Sequence, residues 1–321
     1  MIGWLFGTFF KKTAGQGQTM TTLDIRRGVA DANGLQIAYE DMGNVDDPAV
    51  LLIMGFSAQL TLWPEDFCAR LVDKGYRVVR FDNRDIGLSS KLSGVRVEGS
   101  KWLRMARHQL GQASEVPYTL LDMAADTRGL LDHLGIDAVH LVGASMGGMI
   151  AQIFAAEYSD RVKSVGIIFS TTNQPLLPPP SPSALKSLVT GPKEPTREQV
   201  IANSIKARRI IGSPKYPESL EAIEAAATRD YDRNHYPAGV IRQLAAATGT
   251  GNLVRFSERI SAPTVVIHGS ADPLLRPAGG KAVAKAIRGA KLHIIDGMGH
   301  DLPPQLHEQI TGLLVDNFGR A

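Results

Sequence analysis

The chain has 321 residues, 44% hydrophobic and 21% charged, values that exclude a disordered, collagen-like or coiled-coil protein. Lys plus Arg (35) exceeds Asp plus Glu (32) by only 3, too little for a nucleic-acid-binding surface, so no nucleic-acid partner is expected. The single cysteine, Cys68, excludes an intrachain disulfide and any CxxC site; nothing calls for an oxidising compartment, and a cytoplasmic location is expected.

Sequons, a P-loop GxxxxGK[ST] and a zincin HExxH are all missing from the sequence, which sets aside glycosylation, P-loop phosphate binding and zincin chemistry. No metal site and no cofactor are expected. A length of 321 residues fits about two domains, or one α/β domain carrying an insertion.

Met1 to Phe10 is apolar and aromatic and is followed by Lys11-Lys12 and a Gly/Gln/Thr stretch to Thr19. A secretory signal carries its charge before the apolar run, and this run is too short to span a bilayer. Residues 1–23 therefore read as a mobile tail, with Met20 as an alternative start. The alternative is that residues 1–10, through Trp4, Leu5, Phe6, Phe9 and Phe10, touch a membrane surface or a partner.

From Arg26 the chain alternates β-rich and helical runs. A hairpin turning at Asn33-Gly34 opens the series, since both residues tolerate the positive φ of a type I′ turn. Apolar runs follow at Ala49–Met54, Tyr76–Phe81, Ala138–Val142, Val162–Phe169, Pro263–Ile267 and Lys291–Ile295. Their continuous apolar character fits parallel strands covered by helices on both faces. Intervening helices are expected at Trp63–Lys74, which carries Cys68 as a buried small hydrophobe, at Thr119–Leu134 and at Gly148–Tyr158.

About 90 residues between Phe169 and Pro263 contain no convincing strand. This insertion begins with a proline-rich link, Gln174 to Pro182, and continues as helical segments at Arg197–Ile211, Glu218–Arg229, Pro237–Ala247 and Asn252–Ile260. A helical cap over the carboxyl edge of the sheet is expected, because ligands of open α/β sheets bind there.

Gly143-Ala144-Ser145-Met146-Gly147 is a GxSxG pattern lying directly between a strand and a helix. In that setting a sharp turn presents the Ser145 hydroxyl at the sheet edge, and Gly143 and Gly147 let the neighbouring chain approach without a Cβ clash. A serine hydroxyl is a weak nucleophile and needs a base, usually histidine. His300 is the choice among eight histidines because it follows the last strand, in the Gly- and Pro-shaped loop Asp296 to Pro303. His268 also ends a strand. Asp272, after the strand Pro263–Ile267, is preferred over Asp296 and Asp301 as the acid that orients the imidazole. The backbone amides of Met146 and Phe56 are the candidate oxyanion donors.

With these residues the chain, from about Asp24 onward, resembles the α/β-hydrolase superfamily and within it the serine esterases that include aclacinomycin methylesterase. Beyond GxSxG, the resemblance rests on Phe81-Asp82-Asn83-Arg84-Asp85-Ile86-Gly87-Leu88-Ser89, similar to the family's D-x-R-x-x-G-x-S turn, and on Gly297-Met298-Gly299-His300. It implies a cofactor-free carboxylic ester hydrolase with Ser145, Asp272 and His300 as its triad. The implied fold is a mostly parallel doubly wound sheet with an antiparallel N-terminal hairpin and a helical cap after strand 6. The core would comprise residues 24–172 and 262–321 and the cap residues 173–261. One departure is Met54-Gly55, where many relatives carry His-Gly. The Asp82–Ser89 turn reads as scaffold. The expected substrate is a small to medium apolar ester. Lactones, thioesters, C–C bonds and cofactor-free perhydrolysis are compatible with the same triad, as is a ligand-binding scaffold with little turnover.

Overall fold

The computed structural model describes residues 23–189 and 195–321, so the expectations for the first 22 residues lie outside it. Among the described residues eight strands form one sheet: β1 (Ile25–Ala32), β2 (Leu35–Met42), β3 (Ala49–Ile53), β4 (Arg77–Phe81), β5 (Val139–Ala144), β6 (Val162–Ile168), β7 (Thr264–Gly269) and β8 (Lys291–Ile295). Their spatial order is β1-β2-β4-β3-β5-β6-β7-β8.

Asn33 and Gly34 both take positive φ, 50° and 76°, and set Ala32 opposite Leu35 in the hairpin. β2 pairs antiparallel with β4 as well, while β3 to β8 run parallel. For β3 to β7 the continuous apolar runs follow from burial on two faces, whereas β8 lies at the edge of the sheet and leaves Leu292 and Ile294 exposed, so the expected cover on both faces does not reach it. Along β3, Leu51 and Ile53 join one core cluster and Val50 and Leu52 the other, the alternation a pleated strand imposes.

The helices are α1 (Glu65–Val72), α2 (Lys101–Gln109), α3 (Leu120–His133), α4 (Met146–Glu157), α5 (Pro182–Val189), α6 (Arg197–Ile211), α7 (Leu220–Arg233), α8 (Pro237–Gly249), α9 (Val254–Ser257), α10 (Pro277–Ala286) and α11 (His307–Phe318). α1 and α11 cover one face through Phe67, Cys68, Leu71, Ile310, Leu314 and Phe318. α3, α4 and α10 cover the other through Leu120, Leu130, Ile150, Ile153 and Val283. Helices α5 to α9 fill the strand-free interval between β6 and β7.

Four helices fall outside the expected segments: α2, α5, α10 and α11. α5 and α10 both open on a proline, Pro182 and Pro277, which reads as a breaker in sequence yet suits the first helical turn, where its missing N–H has no partner to lose. α2 buries no residue and exposes Trp102 and Leu103, so its short apolar stripe faces no core. The segment expected at Glu218–Arg229 starts two residues later, behind Ser219, whose hydroxyl caps Ala222 N–H at 3.2 Å, and runs on to Arg233. The expected helix at Asn252–Ile260 shortens to α9. Among the described residues no helix is long and apolar enough to cross a membrane.

Candidate active site

The turn from β5 into α4 is tight because its glycines permit backbone-to-backbone contact. A Cβ built on Gly143 would lie 2.2 Å from Gly147 O, and one on Gly147 would lie 2.0 Å from Ile53 O. Between them Ser145 sits at φ 56°, ψ −122°, a strained conformation for a residue with a side chain. Its backbone is held by Ser145 N–H donating to Ile168 O at 2.9 Å and Ser170 Oγ donating to Ser145 O at 2.7 Å.

His300 Nε2 lies 2.9 Å from Ser145 Oγ, and His300 Nδ1 lies 2.7 Å from Asp272 Oδ2. The three residues come from the ends of β5, β7 and β8, so the sheet brings together groups up to 155 residues apart. Asp272 is 1% exposed and His300 9%. The loops carrying them press together, since a Cβ on Gly269 would lie 2.1 Å from Met298 O. Asp272 Oδ1 accepts Leu274 N–H and Leu275 N–H at 2.8 and 2.9 Å. Burial pushes the Asp272 carboxyl up, but the His300 charge and hydrogen bonds from His268 and His300 outweigh it and hold the group well below the usual carboxylate range. The Phe169 ring packs on His300 with centroids 4.6 Å apart.

The rival acids are engaged elsewhere. Asp296 is exposed and pairs with Lys215 at 3.1 Å. Asp301 turns away from its neighbour His300 to accept Ser213 N–H at 3.0 Å and the Ser213 hydroxyl. His268 is buried, with Nε2 donating to Leu275 O at 2.6 Å and lying 3.4 Å from Asp272 Oδ2; it lies behind the acid.

The segments that carry the two expected oxyanion amides, the loop after β3 and the start of α4, both adjoin Ser145. Met146 is the first residue of α4, and its N–H therefore has no intrahelical acceptor. Gly55 brings the loop after β3 against the serine: a Cβ there would lie 2.9 Å from Ser145 Cβ and 3.3 Å from Oγ. Among the described residues Phe56 N–H makes no hydrogen bond to the protein. Gly55 thus adjoins the site in its own right, and its sequence signal is the Met54-Gly55 pair that follows β3 where many relatives carry His-Gly.

The model of the α/β hydrolase fold family matches residues 48–304. The chain belongs to the α/β hydrolase family. It is similar to the rhodomycin D methylesterases of Streptomyces peucetius (25% identical, covering 86% of this chain and 92% of the relative) and of Streptomyces sp. strain C5 (26%, with the same coverage). Among solved structures, a meta-cleavage product hydrolase from Pseudomonas fluorescens IP01 superposes with a TM-score of 0.70 at 18% identity, covering 91% of this chain and 97% of that one. The relatives' names are those of hydrolases, and this chain is one.

In this α/β hydrolase the Asp82–Ser89 turn joins the core to the helices between β6 and β7. Asp82 accepts Leu60 N–H and Leu88 N–H, each at 2.8 Å, and pairs with Arg233 of α7 at 2.7 Å. Asp85 binds Arg242 of α8 through two nitrogens at 2.8 and 2.7 Å. At the other end of the site, His300 N–H donates to Ile211 O, the last residue of α6, at 2.7 Å, and Ser213 Oγ accepts Gly299 N–H at 2.8 Å. No local sequence pattern marks Arg233, Arg242 or Ser213 as partners of catalytic loops.

Proposed function

We propose that this hydrolase cleaves carboxylic esters through an acyl-enzyme on Ser145, with His300 as general base and acid and Asp272 orienting the imidazole. The observation that carries this reading is the unbroken chain from Ser145 Oγ to His300 Nε2 at 2.9 Å and from His300 Nδ1 to Asp272 Oδ2 at 2.7 Å. Similarity to two methylesterases supports an ester as the substrate class.

In the first half-reaction Ser145 Oγ bonds to the carbonyl carbon as its proton passes to His300 Nε2. The carbonyl oxygen takes the negative charge and meets the N–H groups of Phe56 and Met146. Collapse of this intermediate expels the alcohol, which takes the proton from His300. Water then loses a proton to the same nitrogen, attacks the acyl carbon and releases the carboxylic acid and free Ser145. Throughout, Asp272 accepts from Nδ1, which fixes the tautomer in which Nε2 can accept.

Helices α5 to α9, within residues 173–261, act as a cap that sets substrate size, and small to medium apolar esters suit it. The test is steady-state hydrolysis of p-nitrophenyl esters of increasing acyl length by wild type and Ser145→Ala. Loss of the nucleophile of such a unit costs on the order of 10⁶ in kcat, so the variant should fold and give no turnover above background. Turnover that survives the substitution would sink the proposed mechanism.

A further inference from the structure

The loop that presents Phe56 is fixed at three points. Asn83 Nδ2 donates to Met54 O at 2.9 Å at its entry, and Ala58 N–H donates to Gly55 O at 3.4 Å across its turn. The third point comes from outside the core. Gln243 of α8 accepts Ser57 N–H on its Oε1 at 3.0 Å and donates from Nε2 to Arg84 O at 2.9 Å. Gln243 is fully buried, so one amide group satisfies two backbone groups on two different core loops with no water to replace it.

Ser57 lies at φ 58°, a left-handed conformation that a residue with a side chain keeps only when its surroundings enforce it. The bond to Gln243 anchors the amide of that residue. With Ser57 held, the peptide before it stays beside Ser145, where Gly55 already makes its close approach. The position of Gln243 is itself fixed, because its neighbour Arg242 is locked to Asp85 and a Cβ on Gly239 would lie only 2.1 Å from Asp85 O.

We propose that Gln243 is a positioning residue for catalysis: through Ser57 it holds Phe56 N–H where the oxyanion forms, making α8 part of the reaction machinery as well as a cover over it. The proposal rests on the ester-hydrolase reading of Ser145 and Phe56. It predicts a loss confined to the transition state, since the ground-state carbonyl gains little from the oxyanion donors.

The experiment compares Gln243→Leu, Gln243→Asn and Gln243→Glu with wild type. Rates are taken per active site labelled to completion by a fluorophosphonate, and inhibition by a trifluoromethyl ketone, which forms a tetrahedral adduct on serine, is measured alongside. Leu removes both bonds and Asn is too short to reach Ser57, whereas Glu keeps the acceptor. Removing an oxyanion donor costs about 10²–10³ in kcat, so misplacing one should cost roughly 10- to 100-fold, with KM within about threefold. Affinity for the ketone should fall by the same factor as kcat, and Glu should retain more activity than Asn. If Leu fails to fold, the Asn and Glu pair decides. A folded Leu or Asn variant with wild-type kcat per labelled site, or with a loss in KM alone, overturns the proposal. Wild-type turnover that survives Ser145→Ala overturns the underlying reading and this proposal together, a result distinct from a Ser145-dependent enzyme indifferent to Gln243.

Discussion

Replacing Asp85 by Asn tests whether the buried pair with Arg242 docks α8 onto the core. Asp85 sits at φ 70°, which Asn tolerates about as well as Asp, so the substitution changes charge and hydrogen bonding with little backbone penalty. Asp85 is 0% and Arg242 3% exposed, and the two make parallel bonds of 2.8 and 2.7 Å. Arg242 has a further bond to Val95 O at 2.8 Å, and Asp85 also accepts Leu92 N–H at 2.9 Å. The neutral amide leaves a buried guanidinium without its counter-charge, a change that costs about 3–5 kcal/mol, against a total stability of about 5–15 kcal/mol for a folded protein. Arg242→Met should lose a similar amount. The double variant should lose clearly less than the sum, because it buries no unpaired charge. Urea unfolding followed by far-ultraviolet circular dichroism and by tryptophan fluorescence measures all four corners of the cycle. A change below about 1 kcal/mol for Asp85→Asn, or two losses that simply add, would refute the docking role.

Two further outcomes follow from single buried groups. His140 packs against Phe318 and Tyr76, with Nδ1 2.9 Å from Ser164 Oγ, and burial, aided by the nearby Lys163 charge, pushes its pKa from 6.5 down to about 4. The unfolded chain binds this proton more tightly, so stability is lost as pH falls from about 6.5 to about 4, by about 2–3 kcal/mol after allowance for solvent screening. His140→Gln should flatten that part of the stability–pH curve, and equal slopes in the two proteins would count against the assignment. Cys68 is buried among Phe67, Leu71 and Trp63, and burial raises its thiol pKa to about 12. A disulfide reagent should find no reactive thiol in the native protein and one per chain in urea; rapid native labelling would contradict the packing of α1.

The strands, the fold class and the residues of the candidate triad were legible because each leaves a local mark. The strands β3 to β8 are short apolar runs, and Ser145 lies in a five-residue pattern between a strand and a helix. Asp272 and His300 follow strands whose carboxyl ends lie at one edge of a parallel sheet, so their convergence follows from the topology. Helices were less legible where the mark was ambiguous, as at Pro182 and Pro277, or where a short apolar stripe packs on no core, as along the exposed α2.

The clamps around the site left no mark. Asp85 and Arg242 stand 157 residues apart, and Ser57 and Gln243 stand 186 apart. An arginine and a glutamine in a helix look alike in sequence whether they face solvent or a core loop. Which one faces inward depends on how α8 lies over the Asp82–Ser89 turn. Local chemistry therefore determined where the candidate nucleophile, base and acid stand along the chain, while only tertiary packing decided which buried polar groups hold them, because a polar group taken out of water must bond to whatever the folded chain brings beside it.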